Sequence, residues 1–308
     1  MRRVLPFLLF SSLCFAACDK KEEKKDDKKE ESKKDDKKDE KEEKKEEGIT
    51  FKGKAPAVGD KFDEKKASDM KLTMTIEVGA KKTSEFTEVE NSQKTVEALA
   101  VDGKAITKAK ITYADYKKVE TEDGKEKKKP PSPLAGKTFL FELKDGKVLV
   151  TDEKGGKLPK DEETKVLAKN RHFGKPDPFL EGMPDKPLKP GDKVDSMVKA
   201  LEQYFKDDDD SAKDPPEIKD VKVKLESIEK DGKDQIGVFS VELTMASPKD
   251  NKSPIDLKIP LKGKVKVRAK DGFTTSIDLK GPVTMEGNDP KFKMSGKGEA
   301  HMNITQTK

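Results

Sequence analysis

The sequence predicts a mainly β fold, a β-rich α+β arrangement of antiparallel meander sheets. Three observations predict it. Apolar residues recur with a period of two, Asp-Gly dipeptides follow or split those runs, and just two stretches carry helical spacing. Met70, Leu72, Met74, Ile76 and Val78 alternate with Lys71, Thr73, Thr75 and Glu77, the pattern of a strand with one wet face. The same alternation returns in Phe139–Leu143, Val221–Leu225, Val238–Met245, Ile255–Ile259, Lys264–Arg268, Thr275–Leu279 and Ala300–Ile304. Asp102-Gly103, Asp145-Gly146, Asp231-Gly232 and Asp271-Gly272 supply turns, because both residue types tolerate positive φ and close hairpins.

Two segments read as helices. Asp161-Glu162-Glu163 places acid in a first turn, with Val166, Leu167 and Phe173 as an apolar stripe. Asp195 or Ser196 caps a second helix carrying Met197, Val198, Leu201, Tyr204 and Phe205. The acidic run Asp207–Asp210 sits badly at the negative end of that helix, which is expected to stop there. A weak internal repeat relates Val58–Phe62 to Pro190–Val194 and Phe141–Gly146 to Val267–Gly272. Duplication and chance recurrence in so lysine-rich a chain both remain open. Duplication would place two half-barrel-like lobes on either side of a helical middle.

Charge is distributed unevenly. Of 308 residues, 42% are charged and 31% hydrophobic. Residues 19–47 hold 13 Lys, 15 Asp or Glu and one Ser, and nothing else. Like charges there fall four apart, as in Lys20, Lys24 and Lys28, which works against a helix, so a disordered tether is expected. As a coil this run spans about 30 Å. The rest of the mature chain intersperses both signs, with 52 basic and 47 acidic residues from Gly48 to Lys308. That mixture lacks the one-signed patch of a nucleic-acid binder, and the absence of Trp with only three Tyr removes a base-stacking platform.

The N-terminus carries a specific motif. Arg2 and Arg3 precede an apolar run from Val4 to Phe15 that is too short to span a bilayer comfortably. It ends in Phe15-Ala16-Ala17-Cys18, which resembles the lipobox of bacterial lipoproteins. The resemblance implies cleavage between Ala17 and Cys18 and acylation of the Cys18 thiol. Cys14 is the rival acceptor, but Leu13 before it is bulky. The alternative is an ordinary secretory signal cut after Ala17. Two or more acyl chains would hold the protein stably on a membrane. Asp19 resembles an inner-membrane retention residue, and the charged cluster resembles a surface-export tether. Inner and outer membranes therefore both stay open, as do a periplasmic and a surface-facing domain. The expected organisation is a signal peptide over 1–17 and a lipidated cysteine with its tether over 18–47. A β-rich lobe follows over 48–160, then a helical connector over 161–210 and a second β-rich lobe over 211–308.

Chemistry-bearing motifs are sparse. His172 and His301 lack acidic or cysteine neighbours at ligand spacing and are expected on a surface loop and a strand. Asp207–Asp210 with Asp214 lacks the Gly and Glu of a calcium loop and reads as a solvated acidic stretch. Lys127–Pro131 reads as an exposed stiffened loop, with docking to an anionic partner as the alternative. No catalytic residue, cofactor or metal site is expected. The leading expectation is a non-enzymatic envelope lipoprotein with a binding or scaffolding domain, partnered by the membrane and by an envelope protein or hydrophobic ligand. The strand pattern also loosely resembles uncharacterised two-lobed envelope lipoproteins and the half-barrel carriers of lipids and lipoproteins. That resemblance implies an acyl-holding groove. Met70, Met74, Phe139, Phe141, Phe239 and Met245 would then line a pliable cavity, or else form plain core. An envelope hydrolase ranks last, because no nucleophile and base pair can be named.

Overall fold

The computed structural model describes residues 48–78, 80–127, 132, 134–206, 217–247, 255–289 and 292–308. The expectations for Cys18 and the tether, for Lys128–Pro131 and for Asp207–Asp210 with Asp214 lie outside these. The described residues form eleven strands: β1 (Lys61–Val78), β2 (Ala80–Asp102), β3 (Ala105–Glu122), β4 (Lys125–Glu126), β5 (Thr138–Lys144), β6 (Lys147–Asp152), β7 (Glu217–Asp231), β8 (Asp234–Ala246), β9 (Ile255–Arg268), β10 (Thr274–Asp289) and β11 (Phe292–Thr307). Among the described residues three helices lie between β6 and β7: α1 (Lys160–Lys169), α2 (Pro178–Glu181) and α3 (Asp195–Lys206).

The strands form one open, half-barrel-like antiparallel sheet in the order β6-β5-β3-β2-β1-β11-β10-β9-β8-β7, with β4 beside β3. Two meanders, one from each end of the described chain, meet where β1 pairs with β11 from Asp63↔Thr307 to Glu77↔Lys293. The strands expected in two lobes, β1–β6 and β7–β11, thus share a single sheet. All four expected Asp-Gly pairs turn the chain, with φ of 55°, 73°, 60° and 69° at Gly103, Gly146, Gly232 and Gly272. The runs at Ile255 and Lys264, read separately in the sequence, are one strand, β9.

Glycines and prolines let the sheet bend. A Cβ on Gly263, Gly281 or Gly298 would fall 1.8–1.9 Å from a backbone oxygen of a neighbouring strand. Strand glycines that close to another backbone mark tight bends. The β9–β10 register pairs Lys262 with Lys280 and Lys258 with Thr284, and between these pairs lie Pro260 and Pro282, which have no N–H to give. The free edge of β7 is covered by the segment before α3. The Gly191 and Val194 amides donate to Leu225 and Val223, and Asp192 accepts from Leu225. Covering an edge in this way blunts its tendency to pair with other chains.

Two apolar clusters flank the middle of the sheet. One joins β1 and β7–β11 to α3 and residues 49–51, with Leu72, Met197, Leu225, Phe239 and Val265 fully buried. Phe51 packs on Phe239 at 5.5 Å between ring centroids. The other joins β3, β5, β6 and α1 around Phe139, Phe141 and Val166. In α3, Met197 and Leu201 form the buried stripe, as the helical spacing predicts, and Val194 just before the helix joins them. In α1, Val166 is buried, but Phe173 lies beyond the helix end and rests on Phe141 instead, at 5.2 Å. Among the described residues no helix is long and apolar enough to cross a membrane.

Candidate functional site

Between the two clusters a cavity of about 480 Å³ separates the inner face of the sheet from the segment 169–180 and α3. Its size falls within the range of about 300–1,000 Å³ that small-molecule sites occupy. The inner face of β1 explains why it forms there. Phe62, Glu64, Lys66, Ser68, Met70, Leu72 and Met74 share that face by the period-two rule. Met70, Leu72 and Met74 pack into the core, whereas Phe62, Glu64 and Lys66 line the cavity. A strand that is apolar at one end of its inner face and charged at the other cannot close the core along its whole length.

The seam between β1 and β2 carries the same change. Backbone pairs mark its ends, at Lys61↔Glu97, Phe62↔Val96 and Val78↔Ala80. Between them side chains bridge the strands. The Ser68 hydroxyl donates to the Glu90 carbonyl at 3.0 Å, and Lys94 Nζ lies 3.0 Å from Glu64 Oε1. Gln306 Nε2 donates to Glu64 Oε2 at 2.9 Å. Burial pushes the Glu64 carboxyl up, but the charge and hydrogen bond of Lys94, together with Gln306, outweigh this and hold it below the usual range. Lys94 is driven the other way: burial lowers it, and the Glu64 charge more than restores it. Lys169 Nζ reaches Glu90 Oε2 at 2.5 Å, where the carboxylate side chain is 1% exposed. A charge pair this deep is stable only while both partners remain, because either one alone would be an uncompensated buried ion.

Beyond β1 the same sheet turns apolar. Ile277 and Leu279 of β10, Met302 and Ile304 of β11, Val241 and Leu243 of β8, and Val265 of β9 face the cavity. The cover is held by polar contacts. Asn170 Nδ2 donates to Tyr113 Oη and to the Val166 carbonyl, each at 2.9 Å. Asp177 caps α2 by accepting from the Phe179 amide at 2.8 Å, and accepts from the Thr274 hydroxyl at 2.8 Å. Burial raises the Asp177 carboxyl above its ordinary value, and these hydrogen bonds offset part of that rise.

His172 does not sit as a surface-loop residue. Its ring stacks on Tyr204 at 4.1 Å between centroids, beneath the cover. Burial lowers its pKa from 6.5 to about 3, and the nearby charges of Arg171, Lys175 and Lys66 push in the same direction. The folded state therefore keeps the imidazole neutral while the unfolded chain takes up a proton below 6.5. Stability is complete above that pH and is lost as pH falls toward about 3. Denaturation between neutral pH and about pH 5 should show a loss of about 2 kcal/mol, absent in His172→Phe. An equal pH slope in the variant would contradict this assignment. His301 stands on β11 as expected, with Nε2 2.8 Å from Asp278 Oδ1.

The sequence candidates for a cavity wall are placed elsewhere. Met70, Met74, Phe139, Phe141, Phe239 and Met245 are all core, each at most 6% exposed, and none lines the cavity. Lys127 lies over the Phe86 ring and reaches Glu122 at 3.2 Å. Among the described residues no group of three or more His, Cys, Asp or Glu converges on a metal position. The sequence reading missed the charged inner residues of β1 and β2 and missed α2. For α2 the signal was present in Asp177-Pro178, an N-cap followed by proline at the first helical position.

The fold and cavity together define an open antiparallel half barrel capped by helices over an amphipathic hollow. No family model matches the chain, and neither does any curated protein. Among solved structures it is similar to lipovitellin, a structure described for its lipid–protein interactions, at 6% identity and a TM-score of 0.35. That alignment covers 80% of this chain and 25% of lipovitellin, so the chain spans about a quarter of that protein. A DUF1329 family protein from Desulfovibrio piger aligns over 78% of this chain and 83% of its own, at 6% identity and a TM-score of 0.12. A LolA superfamily protein from Nitrosomonas europaea aligns over 79% and 84%, at 9% identity and a TM-score of 0.14. At such low scores the likeness says nothing about what the cavity holds.

Proposed function

We propose that this chain is a non-enzymatic, lipid-anchored protein of the bacterial cell envelope that carries a hydrophobic ligand in its half-barrel cavity. The observation that carries the reading is the cavity itself, about 480 Å³ with an apolar wall from β8–β11. A protein that only scaffolds partners gains nothing from leaving such a hollow between two packed clusters. Closing it would bury Ile277, Met302 and Ile304 more fully, at roughly 25 cal/mol for each Å² of apolar surface removed from water. Organic extraction of the purified protein followed by mass spectrometry tests the carrier reading. An acyl lipid at near-equal molar ratio supports it, and a lipid-free extract contradicts it.

The anchor rests on Ala16-Ala17-Cys18 and the apolar run before it. Membrane attachment depends on the Cys18 thiol alone. Cys18→Ser should abolish metabolic labelling with a fatty-acid analogue, while Cys14→Ser leaves labelling intact. Label persisting on Cys18→Ser would falsify the anchor. The charged run of residues 19–47 then holds the carrier domain clear of the headgroups.

A further inference from the structure

We infer that the ligand is a single-chain amphiphile with an anionic head, its chain lying across β9–β11 and its head paired with the ammonium of Lys66. This rests on the carrier reading and specifies which ligand that site takes. The sheet register supplies the geometry. Lys66 stands opposite Ile304, Ile304 opposite Ile277, and Ile277 opposite Val265. These four side chains form one row on the inner face, running from β1 to β9. Three strand spacings make that row about 14 Å long. A parallel apolar row, Met302 opposite Leu279, lies beside it. The trough is therefore apolar along β10 and β11, closes on the buried Val265 of β9, and ends on a cation at β1.

Among the described residues no ion pair neutralises the charge at that end, although the Glu64 carboxylate, itself paired with Lys94, lies close enough to feel it. Lys94 is committed to Glu64 and Lys169 to Glu90. Lys66 is half-buried, and among the described residues its ammonium has no ion-pair or hydrogen-bond partner. Among the described residues eight cationic side chains and five carboxylates line the cavity, a balance that favours an anion. Burial is the main cause of the depressed His172, and the charges of Arg171, Lys175 and Lys66 add to it. A carboxylate or phosphate at Lys66 would form a charge-assisted hydrogen bond where water is partly excluded. A neutral head would leave the cation unpaired, and a cationic head would be repelled.

The volume argues for one chain over a two-chain lipid, because about 480 Å³ holds one long acyl chain and not two. Carboxylate and phosphate heads share the chemistry that recognises them, and separate probes distinguish them. Binding of hexadecanoate, hexadecyl phosphate and hexadecanol to the full chain carrying Cys18→Ser would be measured by calorimetry, alongside Lys66→Met and Lys54→Met in the same background. Lys54 lines the exposed end of the cavity and serves as the control for a head seated there. One or both anions should bind at least tenfold more tightly than the alcohol, roughly the effect of a hydrogen bond to a charged group. Lys66→Met should remove that preference while keeping the alcohol's affinity. Whichever anion binds more tightly identifies the head. Equal affinity for acid, phosphate and alcohol overturns the inference but leaves the carrier reading standing. So does a preference abolished by Lys54→Met and not by Lys66→Met. If none of the three probes binds, the carrier reading falls and the inference with it.

Discussion

Phe141→Ser should cost the protein about 3–5 kcal/mol of stability, the range for removing a buried aromatic ring. Phe141 is fully buried on β5, pairs with Ala109 and Val150 on the strands beside it, and holds the Phe173 ring at 5.2 Å. Truncation empties that space and leaves a hydroxyl in an apolar cluster. An unpaired buried polar group adds about 1–3 kcal/mol on mutational scales. Chemical denaturation measures the difference. Met74→Gln, at a side chain 3% exposed in the other cluster, should lose about 1–3 kcal/mol for the same reason. These residues are core and not cavity wall, so neither variant that still folds should change which ligand is bound. A loss below about 1 kcal/mol at Phe141 would mean that the site relaxes as a cavity wall does.

Gly281→Val should be comparably severe for a different reason. A Cβ at Gly281 would stand 1.8 Å from the carbonyl oxygen of Pro260, and the obstacle is the backbone of the adjacent strand, which cannot rotate away. Gly263 and Gly298 meet the Asp278 and Lys71 carbonyl oxygens at 1.8 and 1.9 Å, so the bend crosses β9, β10 and β11. Overpacking ordinarily costs about 1–3 kcal/mol, and a clash with fixed backbone falls at the upper end or prevents folding. Gly53→Ala is the matched control, because its Cβ would meet only Leu180 Cδ1 at 3.4 Å, an ordinary contact. Melting curves of the two variants separate a specific bend from a general intolerance of glycine replacement. Equal melting temperatures would mean that the curvature does not depend on Gly281.

The legible and illegible parts of the fold divide along the cavity. Strands whose inner residues are apolar, such as β5, β8 and the Met70–Val78 half of β1, show the period of two directly in hydropathy. In β2 the buried positions include Glu88 and Glu90, while Val89 between them is partly exposed. The alternation is present there in burial and absent in hydropathy, so β2 is silent to a pattern search. The first half of β1 is silent likewise, because Glu64 and Lys66 point inward. The positions that break the rule are those that make the site, as expected where function overrides local consistency. The Asp-Gly turns and α3 were legible because backbone geometry and helical spacing act locally. The long-range pairing of β1 with β11 was not, since nothing in either segment alone specifies a partner more than 200 residues away.

The central claim, that the hollow between the two clusters is occupied by an acyl ligand, is tested most directly by filling it. Ile304 lines the cavity and is only partly buried. In Ile304→Trp the larger side chain would occupy the trough where the chain is placed, without disturbing either packed cluster. Lipid extracted from equal amounts of folded parent and variant would be quantified by mass spectrometry, with melting temperature as the check on folding. Lipid recovered from the parent and lost from a variant that melts at the same temperature or higher is the predicted result. Equal lipid on both, or none on the parent, would contradict it.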